Sequence, residues 1–408
     1  MNTEILNKLA AQLGTPSYIF DLDEFEKRAA LVHKYFGKNT GLCFSIKANP
    51  FLLGRLPEIF DKIEVCSPGE LTVCEKTGVD MSKIIFSGVN KTEKDVRRAA
   101  EDEVGTFTAE SILHVEMINA EALSRGKVFP VLLRVTDVKG GSQFGMEEAQ
   151  VLDIIRSRAD YKGIEIVGIH YFTGTQKKKA KPILHELDYL SELIDRVKTD
   201  LDFTIERVEY GTGLAVDYFD DNADALEEDR LASISEKIQE LAEKAELTVE
   251  MGRFFAAPCG YYLTKVIDVK TNYGINYAIV DGGLNQLKYD GQLQGMQIPR
   301  IIHLKNNSNS ATDGEKPWTL CGSLCTTADI LSRNAVFDSL EIGDILVFCR
   351  TGAYSVTEGM AVFLSREMPA VSVYSEKDGL TVIREMLYSD VFNTPLPREG
   401  SAALDNMA

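Results

Sequence analysis

One tryptophan, five histidines and seven cysteines in 408 residues are too few and too scattered for a zinc module or a disulfide framework. Cys43, Cys66, Cys74, Cys259, Cys321, Cys325 and Cys349 form no CxxC pair, and an odd number in a long chain fits reduced thiols in a cytosol. Basic charge is also short. The 44 lysines and arginines face 62 acidic residues, and a formal charge of -18 disfavours non-specific attraction to nucleic acid or an anionic membrane. No apolar run is long enough to cross a bilayer, and Met1 to Gly14 lacks the basic and apolar regions of a signal peptide. A soluble, unprocessed, cytoplasmic enzyme acting on a small molecule is expected.

What is present is apolar material, 44% of the chain, enough for a large core. Short apolar or β-branched runs followed by amphipathic helical patterns recur from about residue 40 to residue 253. Eight candidate strands are Leu42 to Lys47, Ile63 to Cys66, Ile84 to Ser87, Gly105 to Thr108, Val131 to Val135, Ile164 to Phe172, Arg207 to Tyr210 and Leu247 to Glu250. All but the last are followed by helix-length sequence, including Glu70 to Thr77, Glu93 to Glu101 and Leu184 to Lys198. The alternation predicts an α/β fold, a (β/α)8 barrel. After Arg253 the pattern changes. Tyr261 to Lys270, Tyr277 to Val280, Trp318 to Leu320, Asp344 to Cys349 and Ala370 to Tyr374 predict an all-β C-terminal region, with an exposed loop at Asn306 to Lys316 and a frayed tail from Asn393.

Chemistry concentrates at a few of these strand ends. Gly41 to Pro50 ends an apolar strand with a single lysine, Lys47. A lysine among apolar neighbours loses its proton more easily, and the neutral amine can form a Schiff base with an aldehyde. The loop Tyr210-Gly211-Thr212-Gly213-Leu214 follows the seventh strand, where barrels frequently hold phosphate, although its glycines could equally make a simple turn. Glu250-Met251-Gly252-Arg253 follows the eighth with a carboxylate and a guanidinium, or merely a surface ion pair. His170 to Gln176 follows the sixth with an aromatic residue and hydroxyl donors. Cys325 lies in a glycine-containing loop, where an inert buried thiol is the alternative, and Tyr354 follows Gly352-Ala353, where a core tyrosine is the alternative. Lys177-Lys178-Lys179-Ala180-Lys181 is the one dense basic run, most simply a solvated helix start.

In order, Thr15 to Asp21, Ser45-Ile46-Lys47-Ala48-Asn49, Glu64 to Leu71, Gln143-Phe144-Gly145-Met146 and the segments above resemble the fold-type III pyridoxal phosphate decarboxylases, the family that includes diaminopimelate, ornithine and arginine decarboxylases. The resemblance implies a pyridoxal-binding barrel at residues 22-255, with residues 1-21 and 256-408 forming a β-domain that shares in a homodimer interface and the active site. It implies Lys47 as the Schiff-base lysine and Glu250 as partner of the ring nitrogen. Phe172 would stack on the ring; Gly211, Gly213, Arg253 and Tyr354 would hold the phosphate, with Thr175 as a further donor. Cys325 of the neighbouring subunit would return a proton after carbon dioxide leaves, with Thr326 and Asp329 near the substrate. An amino-acid racemase of the same fold would need a second base, usually tyrosine, where this chain has Cys325. A non-catalytic homologue would be expected to lack Lys47 or Cys325.

Departures from the family bear on substrate. Phe172 stands where free-amino-acid decarboxylases commonly have histidine, and Thr212 and Ala215 stand where glycine is preferred. Diaminopimelate decarboxylases place a glutamate directly after the catalytic cysteine, here Thr326, and an arginine in the segment matching Leu284 to Tyr289, which has none. Losing both contacts to a zwitterionic end disfavours free diaminopimelate. The pattern is similar to that of the decarboxylase of butirosin biosynthesis, which acts on glutamate carried by an acyl-carrier protein. The expected substrate is therefore an amino acid of specialised metabolism, either free or tethered to an acidic carrier steered by Lys177, Lys178, Lys179 and Lys181. Diaminopimelate decarboxylation is the alternative.

Overall fold

The structure, a computed structural model, describes residues 1–136, 141–306 and 314–395. Most of the expected loop (307–313) and most of the expected tail (396–408) lie outside the described residues. Eight parallel strands close into a barrel: Thr40–Ser45, Lys62–Val65, Ile84–Phe86, Thr106–Ala109, Phe129–Thr136, Ile164–Tyr171, Arg207–Gly211 and Glu246–Met251. Closure comes from the last strand pairing with the first, in the register Val249 to Leu42 and Glu250 to Cys43. The expected strands are all present, displaced at their ends by a residue or two.

The helices follow local signals. Ser67 caps Pro68–Thr77 by accepting from the Glu70 N–H at 3.1 Å, with proline in the first turn where no N–H is needed. Thr92 and Asp95 form a reciprocal capping box for Glu93–Glu101. One expectation changes. No α-helix follows the first strand; two 3-10 turns, Ile46–Ala48 and Pro50–Arg55, take its place. Pro50 disfavours a helical conformation at Asn49, which is extended at φ -164° and ψ 96°. The helix Leu22–Phe36, which precedes the first strand, packs beside it instead, through Phe25 against Phe44 and Phe60 at centroid distances of 5.3 and 5.5 Å.

A second sheet of nine strands is built mainly after residue 260, around the long strand Gly260–Asn272. Ser17–Asp21, which follows the helix Thr3–Leu13, joins it, antiparallel to Gly260–Asn272 and parallel to Ala370–Ser375, so the chain passes through this sheet before entering the barrel. Ile301–Leu304, Ile330–Phe337 and Gly379–Arg384 are strands beyond those expected. The second of these carries Ser332, Arg333 and Asn334 at its centre, and irregular pairing with Lys316–Cys321 buries the serine and interrupts the alternation expected of a strand. Among the described residues no helix is long and apolar enough to cross a membrane.

Barrel and sheet are joined by charge as well as by apolar packing. Glu227, fully buried on the helix Ala223–Ala242, accepts hydrogen bonds from Arg28 of the barrel helix and from Arg350, which follows the strand Ile345–Cys349. This junction sets where Gly352 to Tyr354 meet the barrel. Asn49 Nδ2 donates to the Gly352 carbonyl at 2.8 Å, and the Tyr354 N–H donates to the Ala48 carbonyl at 2.7 Å.

Candidate active site

At the C-terminal ends of the barrel strands one cleft is lined by Lys47, Phe172, Thr175, Gly213, Glu250, Arg253 and Tyr354. Lys47 lies in the turn just beyond the first strand rather than within it. Its Nζ is 2.9 and 3.1 Å from the two oxygens of Glu64, 3.7 Å from Glu250 Oε1 and 3.4 Å from Cys66 Sγ. Glu250 is buried, so it is not half of a surface pair: Ser45 Oγ donates to its Oε1 at 3.0 Å, and His170 Nε2 lies 2.9 Å from its Oε2. Arg253 donates instead to the Tyr218 hydroxyl at 3.0 Å and lies 4.5 Å from the Tyr354 ring centre.

The electrostatics differ from the sequence expectation. A depressed amine is expected at Lys47. Burial does pull it down, but Glu64 and Glu250 outweigh burial and hold the ammonium well above the usual lysine range. Burial pushes Glu250 up, yet Lys47, His170 and Ser45 together hold it well below the usual carboxylate range. A third carboxyl, Glu209, is buried beside Cys43 and is pushed far up by burial and by the charges of Glu250 and Glu64. The barrel centre therefore holds one strongly favoured carboxylate, Glu250, beside one carboxyl that favours its proton.

Residues 22–257 match the family described as pyridoxal-dependent decarboxylase, pyridoxal binding domain. The chain belongs to this family. It is a pyridoxal phosphate-dependent decarboxylase, with an amino acid as substrate class. Over 86% of both chains it is 28% identical to a diaminopimelate decarboxylase of Haemophilus influenzae. Over 97% of both it is 26% identical to the L-glutamyl-[BtrI acyl-carrier protein] decarboxylase of Niallia circulans. The fold matches the crystal structure of a Methanocaldococcus jannaschii diaminopimelate decarboxylase with a TM-score of 0.82, over 96% of this chain and 94% of that one, at 23% identity.

The cleft of this decarboxylase fits the cofactor. A primary amine and a buried carboxylate stand together, Phe172 offers an aromatic ring, and at the Arg253 end a buried guanidinium Nε has no hydrogen-bond partner among the described residues. Gly213 has φ +63°, and a Cβ there would lie 2.0 Å from the Gly174 carbonyl oxygen, so only glycine lets the two loops close up. Gly211 is placed differently from expectation. It is not part of the cleft lining; a Cβ on it would come within 2.5 Å of Phe172 Cδ2, so its bareness makes room for that ring. Gly211→Ala is expected to displace Phe172, costing about 1–3 kcal/mol in denaturant unfolding and weakening pyridoxal phosphate uptake in an absorbance titration. Unchanged values in both would remove this role.

Glu64, Cys66, Ser45 and His170 were not assigned to the site from sequence, although all lie in or beside the motifs that carried the resemblance. Glu64, alternating with the apolar Ile63 and Val65 on a short strand, was the available signal. Cys325, Thr326 and Asp329 lie outside the cleft, in the loop between Lys316–Cys321 and Ile330–Phe337. Cys325 is exposed, not the inert buried thiol of the alternative. Both oxygens of Asp329 accept backbone N–H groups, from Leu284 at 2.8 Å and Leu324 at 2.7 Å, so within the chain this carboxylate shapes the Cys325 loop. The basic run is also smaller than it looks. Lys177 is largely buried against Glu186 at 2.7 Å, leaving Lys178, Lys179 and Lys181 exposed.

Proposed function

We propose that this decarboxylase removes an α-carboxylate from diaminopimelate, in a homodimer whose two sites are each completed by the partner. The observation that carries the reaction is Lys47 held between Glu64 and Glu250 in the cleft that Phe172, Arg253 and Tyr354 also line. The substrate is supported by diaminopimelate decarboxylases that match most of this chain at 25 to 29% identity. These matches give diaminopimelate more weight than an amino acid of specialised metabolism.

When bound, pyridoxal phosphate supplies the electron sink for the pair released as carbon dioxide leaves. Lys47 presents the amine that holds the cofactor. Glu250, kept ionised by Lys47, His170 and Ser45, would pair with the ring nitrogen and favour its protonated form. Phe172 would stack on the ring, while Arg253, Gly213, Thr175 and Tyr354 would hold the phosphate. Cys325 of the partner subunit holds the proton returned to the α-carbon, and Thr326 and Asp329 set that loop against the substrate. The division into a barrel at 22-255 and a β-domain of 1-21 and 256-408 is supported by Ser17–Asp21 pairing within the second sheet. Seven unpaired cysteines support a cytoplasmic location.

A second reading, a carrier-linked glutamyl substrate, is favoured by three observations. The Niallia circulans relative covers the chain end to end. Thr326 is uncharged, its hydroxyl accepting the Ala328 N–H at 3.3 Å. The cation of the Leu284 to Tyr289 segment is Lys288, paired with Glu358 at 2.8 Å. Carbon dioxide release from meso-diaminopimelate, ornithine, lysine, arginine and glutamate separates the two. Release from diaminopimelate alone is expected. Silence on all five by a protein that retains its cofactor would overturn the diaminopimelate reading in favour of the carrier-linked one.

A further inference from the structure

Glu186 lies on the helix Ala180–Leu201, away from the cleft, yet its carboxylate collects more polar partners than the fold of that helix requires. It is buried, and it accepts from Lys177 Nζ at 2.7 and 2.8 Å, from the Tyr210 hydroxyl at 2.7 Å and from the Thr173 hydroxyl. Two of these donors belong to one of the loops that line the Arg253 end of the cleft, and the third lies at the end of the strand that leads into the other. Thr173 and Lys177 bracket Thr175; Tyr210 immediately precedes the Gly211 to Leu214 loop.

The two loops are in direct contact. The Lys177 N–H donates to the Gly213 carbonyl at 2.8 Å, and the Ala215 N–H donates to the Lys177 carbonyl at 3.3 Å. The space beside Gly213 is closed by the Gly174 carbonyl and by Lys177 Cε, 3.2 Å from where a Cβ would be. Gln176 adds a side-chain clamp, accepting the Val216 N–H at 2.8 Å. Thus the position of Gly213 depends on Lys177, whose side chain ends on Glu186. A buried carboxylate satisfied by an ammonium and two hydroxyls has little freedom to move, because each lost contact would leave a buried polar group unpaired.

We propose that Glu186 is a positioning residue for cofactor phosphate, fixing the Thr173–Lys177 and Gly211–Ala215 loops to each other through Lys177, Thr173 and Tyr210. The inference rests on the reading above that Gly213, Thr175 and Arg253 receive the phosphate. Glu186 touches neither cofactor nor substrate, so its loss acts on cofactor affinity before it acts on turnover.

The test is a pyridoxal phosphate titration of Glu186→Gln and of the double variant Lys177→Met/Glu186→Leu, with apo-protein unfolding measured alongside. In Glu186→Gln the dissociation constant is expected to rise about tenfold, the size of effect expected when a charged hydrogen-bond partner is removed. Its kcat at saturating cofactor should stay within about threefold. The double variant leaves no unpaired charge, only the Tyr210 and Thr173 hydroxyls without their acceptor, so its apo form should stay folded with a midpoint lowered by no more than those two hydrogen bonds, while binding the cofactor as weakly as the single variant. Parent-like affinity in the double variant would overturn the proposal, as would a loss confined to kcat. A parent that takes up no pyridoxal phosphate would overturn the phosphate reading and this inference together.

Discussion

A Lys47→Ala protein will release no carbon dioxide above background from any amino acid and will lack the visible absorbance of protein-bound pyridoxal phosphate. Lys47 is the amine of the cleft, and the loss should exceed about 1000-fold, as for an essential nucleophile. Because alanine leaves Glu64 and Glu250 without their cation, Lys47→Arg is the matched control: it keeps a charge against both carboxylates but cannot hold the cofactor covalently, and should be equally inactive. Activity in the Arg variant within tenfold of the parent would remove Lys47 from the chemistry. The same variant tests the dimer. Mixed with Cys325→Ala and allowed to exchange subunits, it should recover about a quarter of parent activity, since half of the dimers carry one site with both residues intact. No recovery after verified exchange would place Cys325 in the same site as the Lys47 of its own chain, or outside the reaction.

Glu250→Gln is expected to lower kcat by about 100- to 1000-fold, the cost of removing a preorganised charge from a water-poor site. The side chain keeps its shape and can still meet Ser45 and His170, so the change isolates charge from packing. Cofactor should remain bound, because Lys47 and Arg253 are untouched. A kcat within threefold of the parent would show that the carboxylate serves only to balance Lys47.

How far these expectations were legible in the sequence depends on the distance over which each feature is decided. Strand and helix alternation is local, so the eight barrel strands were recoverable from short apolar runs. The exceptions were decided by neighbours: Pro50 replaced a helix by 3-10 turns, and irregular pairing made a strand of the polar-centred Ile330–Phe337. Glycines showed that close approach was needed, but not to what. Gly211 turned out to serve Phe172, and Gly213 the Gly174 carbonyl. Lys177 stood in a run of lysines that reads as solvated, and only the packing of the next helix brings Glu186 beneath it.

The sequence by itself determined the order of elements, the family and the residue types of the site, because hydrophobic period, turn residues and ordered motifs are properties of neighbouring positions. Tertiary structure alone decided the electrostatics. Lys47, in the turn after the first strand, and Glu64, His170 and Glu250, on the second, sixth and eighth, meet only because the barrel closes the eighth strand onto the first. Coulomb interaction depends on separation in space and on the surrounding dielectric, neither of which sequence distance records. The amine expected to be depressed is for that reason held charged between two carboxylates.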